Sequence, residues 1–140
     1  MADRPIVVLD TNVIVSALIS SGSIPGVIFK RFRIGDFDLV TSNQQLDEIA
    51  DVIARPALQK YINPREAKLS LSFLKSGKLA RIVAPQARSW DFPDKKDHFL
   101  LDLIAFEGPQ FLVTGDKLLL SLVEVKNTAI VSPAEFIQVL

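Results

Sequence analysis

Two aspartates in this chain each follow a short apolar run, and this shared position suggests that they act together. Asp10 comes directly after the run Ile6–Leu9, and Asp116 comes shortly after Phe111–Val113. Runs of this kind are typical of strands that are buried on both faces of a parallel sheet. Ligands of such sheets bind beyond the carboxyl ends of the strands. We therefore expect Asp10 and Asp116 to meet at one sheet edge, where their carboxylates could bind a hard cation.

Glu48 is a third candidate acid, on a helix predicted to begin after Ser42. It lies about 100° around that helix from Ile49, at the boundary of the apolar stripe. A carboxylate at this boundary can lean over the edge of the sheet. Asp47 and Asp51 compete with it, and spacing alone does not choose among the three.

Asp97 is the fourth candidate acid, near the start of a helix predicted from about Asp94 to Glu107. It shares a helix face with Leu100, three residues further on, so its side chain is expected to point inward. The simpler interpretation is an acid in the first turn that complements the helix dipole. Asp94 and Asp102 are weaker candidates in the same segment.

Helix capping is the competing interpretation of both strand-end aspartates. Asp10 and Asn12 could cap a helix after the first strand, and Asp116 could cap a helix after the later one. In the functional interpretation, Asp10 binds the cation while Asn12 orients the cation or a bound water. Phosphatases with an aspartate nucleophile usually need Asp-x-Asp here, and the asparagine at position 12 removes that possibility.

The composition narrows the choice of metal. The chain has no cysteine and a single histidine, His98, so oxygen atoms must hold any cation. That donor set favours Mg²⁺ or Mn²⁺ over Zn²⁺. Either cation would relieve repulsion among the carboxylates and could activate water for in-line attack on a phosphodiester. With 16 basic and 16 acidic residues, the chain is not a generic basic nucleic-acid binder.

Strand and helix signals alternate along the whole chain, which predicts an α/β fold with a central parallel sheet and helices on both faces. We expect one domain over residues 1–140, since no linker or internal repeat interrupts the pattern. No apolar run approaches the roughly 20 residues that span a bilayer, and the start of the chain lacks signal-peptide features. The default expectation is a cytoplasmic protein without a membrane partner.

Four segments, taken in chain order, resemble the PIN-domain nucleases. They are Asp10-Thr11-Asn12, Leu46-Asp47-Glu48 followed by Arg55-Pro56, Asp97-His98-Phe99-Leu100, and Val113-Thr114-Gly115-Asp116. The resemblance runs from about residue 5 to residue 136. It implies a three-layer α/β/α sandwich and a metal-dependent ribonuclease that uses Mg²⁺ or Mn²⁺. Carried across position by position, it makes the acidic site Asp10, Glu48, Asp97 and Asp116, with Thr11, Asn12 and Thr114 as polar support.

Within that family, the chain is most similar to prokaryotic toxins of toxin–antitoxin pairs. This likeness implies an RNA substrate, a small antitoxin protein that blocks the site, and a homodimer. One departure is Lys96, because relatives often carry a second aspartate directly before the position of Asp97. It leaves open whether one metal or two bind.

Two alternatives stay open. The first is a non-catalytic PIN-fold module that binds RNA or protein through a degraded metal site, which Lys96 favours. The second is a phosphoaccepting receiver-like domain. Such domains usually place paired acids before the strand-end aspartate, whereas Asp3-Arg4-Pro5 and then apolar residues precede Asp10 here.

Overall fold

The computed structural model describes residues 4–140, in which strands and helices alternate. The strands are β1 (Ile6–Leu9), β2 (Asp38–Ser42), β3 (Ala80–Val83), β4 (Phe111–Val113), β5 (Glu124–Val125) and β6 (Thr128–Val131). The α-helices are α1 (Thr11–Ile19), α2 (Ile24–Arg33), α3 (Asn43–Ile53), α4 (Pro56–Gln59), α5 (Pro64–Lys75), α6 (His98–Glu107), α7 (Lys117–Leu120) and α8 (Pro133–Val139). One 3₁₀ turn over Lys95–Asp97 precedes α6.

The strands form one six-stranded sheet in the order β3-β2-β1-β4-β6-β5. All neighbouring pairs are parallel except β5 and β6, which are antiparallel at the sheet edge. The predicted parallel sheet is therefore confirmed for the four pairings that join β1, β2, β3, β4 and β6. The strand β5 is an addition that the sequence analysis did not name. β1 lies at the centre, so the chain order reverses there and leaves a crevice at its carboxyl end.

Alternating residues of the inner strands supply two separate cores. On one face, Val7 and Leu9 pack with residues of α1, α2, α3, α5 and α8. On the other, Val8 and Leu112 pack with residues of α6 and α7. Because both faces are covered, the inner strands read as unbroken apolar runs in the sequence. The three-layer α/β/α architecture is confirmed.

The structure corrects one predicted helix boundary. α6 begins at His98, not near Asp94, because Asp94 has an extended backbone and the next three residues form a 3₁₀ turn. The helix α3 ends at Ile53, and Pro56 begins the short helix α4, since proline is well tolerated at a first helical position. Ser132 and Glu135 form a capping box at the start of α8.

The next feature is the length and apolar composition of the helices, which a membrane span requires. Across residues 4–140, no single helix is long and apolar enough to cross a bilayer. The α1–α2 pair, bent by 97°, passes the same test by length and composition only.

Candidate metal centre

The strand register sets Asp10 in the middle of the carboxyl edge. Leu9 pairs with Val113 of β4, and the Asp10 amide donates to the Val113 carbonyl at 2.9 Å. Thr114 is therefore the neighbour of Asp10 on one side. On the other side, β2 ends at Ser42, beside the end of β3 at Val83. The polar edge thus follows from where the apolar runs stop.

Asp10 is held from both sides of its carboxylate. It caps α1, since its Oδ1 accepts from the Asn12 amide at 3.3 Å. Its Oδ2 accepts from the Thr114 hydroxyl at 2.7 Å. Burial raises the pKa of the Asp10 carboxyl, and the bond from Thr114 only partly offsets that rise. Capping and site formation are therefore not alternatives here, because one carboxylate does both.

Thr114 connects Asp10 to Asp116. Its hydroxyl is fully buried, donates to Asp10 and accepts from the Asp116 amide at 3.0 Å. The Asp116 carboxylate caps α7 by accepting from the Leu118 amide at 2.9 Å. This turn fixes the spacing between the two strand-end acids that the sequence analysis placed at one edge.

Asp97 is the acid of the site with an unpaired buried oxygen. It is 8% exposed, and among residues 4–140 its Oδ2 is the one fully buried side-chain oxygen or nitrogen without a hydrogen-bond partner. Burial, followed by the charges of Asp10, Asp94 and Asp116, raises the pKa of Asp97 to about 7. A buried polar atom without a partner is costly, so this oxygen is a candidate ligand atom for a group that the protein alone does not supply.

Asp94 joins the site, although the sequence analysis ranked it as a weaker candidate. One carboxylate oxygen from each of Asp94, Asp97 and Asp116 lies within 4.8 Å of the others. The 3₁₀ turn causes this, because it brings Asp94 back over the start of α6. Asp94 also faces Lys96, whose Nζ lies 3.7 Å from its Oδ2.

Glu48 approaches Asp10 from the α3 side and is half-buried. Burial raises the pKa of Glu48, the nearby Asp10 charge adds to that rise, and the Thr11 hydroxyl and the charges of Arg55 and Lys96 oppose it. Asp10 thus has acids on two sides, with Glu48 on one and the Asp97 group on the other. Of the four acids that the sequence analysis selected, Asp97 and Asp116 lie in the close group with Asp94. Asp10 lies near enough for its charge to raise the pKa of Asp97 and of Glu48, and Asp10 and Glu48 are not members of that close group.

The structure separates the supporting polar residues into two kinds. Thr11 and Thr114 are buried beside the acids. Asn12 has an exposed side chain, and only its backbone amide contacts Asp10. A cation-orienting role for Asn12 therefore remains a prediction without a supporting contact.

Gln45 is a buried residue of this region that the sequence analysis missed. It is fully buried, accepts from the Thr41 hydroxyl at 2.6 Å, and donates to the Leu9 carbonyl at 2.7 Å and to Thr11 Oγ1 at 3.5 Å. These bonds fix the backbone directly before Asp10. Gln45 lies one turn before Ile49 on the apolar face of α3, and a polar residue at that position was the available signal.

The donor set suits a hard divalent cation. It consists of carboxylate oxygens, with hydroxyls in support, and one buried oxygen without a partner. Mg²⁺ and Mn²⁺ prefer such ligands. A cation would offset the burial that contributes most to the raised pKa of Asp97 and the repulsion from Asp10, Asp94 and Asp116 that adds to it.

The fold and site define a class: an α/β/α protein with a cluster of acids at the centre of the carboxyl edge. The profile of the PIN domain family matches residues 6–118, most of the chain. The chain therefore belongs to the PIN domain family.

Two known proteins are similar to this chain. An uncharacterised protein of Methanocaldococcus jannaschii is 33% identical over 116 residues, which cover 83% of this chain and 74% of that protein. The crystal structure of VapC20 from Mycobacterium tuberculosis, described as a sarcin–ricin loop cleaving toxin, superposes with a TM-score of 0.58 at 16% identity. That match covers 86% of this chain and 97% of VapC20. At this identity the second likeness shows the fold alone.

Proposed function

We propose that this protein is an endoribonuclease that depends on Mg²⁺ or Mn²⁺ and acts as the toxin of a toxin–antitoxin pair. The observation that carries the proposal is the buried Oδ2 of Asp97, which has no partner among residues 4–140 and lies in a group of acids. A structural carboxylate at this depth would be paired with a cationic or hydrogen-bonding group.

In this proposal, Asp10, Glu48, Asp97 and Asp116 hold the cation, and Asp94 adds a fifth carboxylate. When bound, the cation supplies a Lewis acid for a phosphodiester oxygen and lowers the pKa of water. The task of the surrounding residues is positional. Thr114 fixes Asp10 relative to Asp116, and the Thr11 hydroxyl beside Glu48 favours the charged form of that carboxylate. The assembly needs little rearrangement, because its supporting bonds already exist in the protein alone.

Family membership supports a nuclease, and the description of VapC20 as a loop-cleaving toxin supports the toxin role. An RNA substrate, a small antitoxin protein and a homodimer follow from the same resemblance and form part of the proposal. A small open reading frame directly upstream of the gene would support the antitoxin.

Cleavage of RNA by the wild-type protein and by Asp10→Asn, each with and without Mn²⁺, tests the catalytic part. We expect Mn²⁺-dependent cleavage by the wild type and a loss of at least about 100-fold in the variant, since removing a charge worth ~3 kcal/mol in the transition state has that effect. Asparagine keeps the size and the capping ability of Asp10, so circular dichroism should show an unchanged fold. Equal cleavage by both proteins would refute the assignment.

A non-catalytic PIN-fold module is the second candidate. The Lys96 ammonium, 3.7 Å from Asp94, favours it, because this positive charge lies beside the carboxylates that a second cation would need. Calorimetric titration with Mn²⁺ separates the two functions. A binding isotherm that disappears in Asp97→Asn supports the enzyme, and the absence of any binding heat supports the module.

A further inference from the structure

The carboxyl end of β1 is held differently by its two neighbouring strands. Toward β4, the pairing continues to Leu9, the last residue of the strand. Toward β2, the pairing ends at Val7 and Leu39, two residues before the end of β1. Beyond that point, the Leu9 carbonyl accepts from the side-chain amide of Gln45 at 2.7 Å. A side chain of α3 therefore takes over where the strand pairing stops, directly before Asp10.

The Gln45 amide has one orientation that satisfies its neighbours. The Leu9 carbonyl can only accept, so the amide nitrogen must face it. The amide oxygen then faces the Thr41 hydroxyl, which donates to it at 2.6 Å. The nitrogen also donates to Thr11 Oγ1 at 3.5 Å. All three side chains are buried, so they cannot exchange these hydrogen bonds for bonds to water.

The Thr11 hydroxyl connects this amide to the acidic site. A hydroxyl has one hydrogen and two lone pairs, and the Gln45 amide occupies one lone pair of Thr11 Oγ1. The hydrogen is therefore left for the Glu48 carboxylate, beside which the hydroxyl lies. Gln45 and Glu48 are three residues apart on α3, so their side chains are neighbours on that helix. One amide thus contacts both the backbone before Asp10 and the hydroxyl beside Glu48.

We infer that Gln45 is a positioning residue of the metal centre, an inference that rests on the cation binding of the proposed function. Its side-chain amide keeps the end of β1 and the Thr11 hydroxyl in the arrangement in which Asp10 and Glu48 face the same cation. Gln45 acts through these neighbours, because the nitrogen and the oxygen of its amide are both bonded within the protein. Replacing a residue that orients metal ligands in this way typically costs about 10–100-fold in metal affinity.

Calorimetric titration of the full-length protein with Mn²⁺ tests the inference without any cleavage. Gln45→Met keeps the approximate length and volume of the side chain but removes every hydrogen bond of the amide. We expect this variant to bind Mn²⁺ at least about tenfold more weakly than the wild type. Thr128→Val is the matched control, since the buried Thr128 hydroxyl donates to the Pro109 carbonyl at 2.6 Å, at the start of β6. This control also loses a buried hydrogen bond, and its Mn²⁺ affinity should stay within about twofold of the wild type.

A double-mutant cycle separates positioning from a general loss of stability. Thr11→Val leaves the bond between Gln45 and Leu9 in place but removes the hydroxyl beside Glu48, so it should weaken Mn²⁺ binding by about threefold or more. Because Gln45 acts partly through that hydroxyl, the loss in the double variant should be clearly smaller than the product of the two single losses. If Gln45→Met fails to fold, Thr11→Val and Thr11→Ser carry the test, because serine keeps the hydroxyl and should keep the affinity.

The outcomes distinguish this inference from the proposed function. Unchanged Mn²⁺ binding in Gln45→Met, an equal loss in Thr128→Val, or full affinity in Thr11→Val would overturn the positioning role and leave the nuclease intact. Fully multiplicative losses in the double variant would also count against it. Weaker Mn²⁺ binding in Gln45→Met, in a protein that cleaves no RNA, would retain the positioning role and remove the nuclease. A wild-type protein that binds no Mn²⁺ would refute both.

Discussion

The two edges of the sheet place carboxylates in opposite environments. At the amino edge, Asp38 pairs with Arg4 at 3.0 Å and with Arg81 at 3.3 Å, and Glu107 pairs with Arg81 at 2.8 Å. At the carboxyl edge, no arginine forms an ion pair with the acids of the site in the part of the chain that the structure describes. The pKa of Asp97 rises to about 7 there.

The difference lies in the distribution of charge, since the chain carries equal numbers of acidic and basic residues. Arginines neutralise the acids at one edge, while the acids at the other repel one another. Repulsion of this kind destabilises the protein alone and favours the binding of a positively charged group. The carboxyl edge therefore has the energetic profile of a binding site, and the amino edge has that of a structural surface.

The largest effect should come from the same substitution made at each edge. Asp116→Asn is expected to reduce Mn²⁺-dependent RNA cleavage by about 100-fold or more, because it removes one charge from the cation site. Asp38→Asn removes a charge of the same type from the amino edge and should leave the cleavage rate within about twofold. Initial rates on one RNA substrate provide the measurement. Similar losses in both variants would show that the edges do not differ in function.

The pH dependence of stability gives the next effect. Asp97 has a folded-state pKa of about 7 against an ordinary value of 3.8. Between these values the folded state holds a proton that the unfolded state has lost, so the free energy of unfolding falls as the pH rises through this window. Metal-free wild type should therefore lose on the order of 2 kcal/mol relative to Asp97→Asn between pH 5 and pH 8.

Urea unfolding in EDTA at several pH values measures this difference. Asp38→Asn is the matched control, and its stability should follow that of the wild type across the range. Mn²⁺ at pH 8 should raise the free energy of unfolding of the wild type more than that of Asp97→Asn, since a ligand that binds only the folded state stabilises it. Parallel stability curves for wild type and Asp97→Asn would contradict the proposed repulsion at the carboxyl edge.

The sequence predicted the layers and most elements because local signals and burial agree along this chain. The apolar runs of β1 and β4 are buried on both faces, and Ser42 and Ser132 cap the helices that they precede. The exception is β5, a two-residue strand with an exposed glutamate. Its pairing with β6 involves two residues, which are too few to give a recognisable strand pattern.

The site could be predicted where helical periodicity tells in which direction a side chain points. The shared face of Asp97 and Leu100 correctly predicted an inward-pointing side chain. Asp94 was ranked too low and Gln45 was missed for a common physical reason, since each acts through a tertiary contact. The 3₁₀ turn carries Asp94 to Asp116, and Gln45 reaches the carbonyl before Asp10 across two elements. No spacing rule for a regular helix describes the first contact.

The smallest predicted effect concerns Arg81, which pairs with two acids at the amino edge. Its side chain is 48% exposed, so Arg81→Met should cost only ~0.5–1 kcal/mol of the free energy of unfolding. Because 1 M salt shortens the screening length to ~3 Å, that cost should nearly vanish in 1 M NaCl.

At the carboxyl edge, salt should have the opposite effect on the stability of the wild type relative to a variant. Screening weakens the repulsion around Asp97, so 1 M NaCl should narrow the stability gap between metal-free wild type and Asp97→Asn at pH 8. Urea unfolding of wild type, Arg81→Met and Asp97→Asn at low and high salt measures both effects in one series. The contrary result is that salt lowers the free energy of unfolding of the wild type relative to both Arg81→Met and Asp97→Asn. The acids of the site would then be held by attraction, and the two edges of the sheet would not differ.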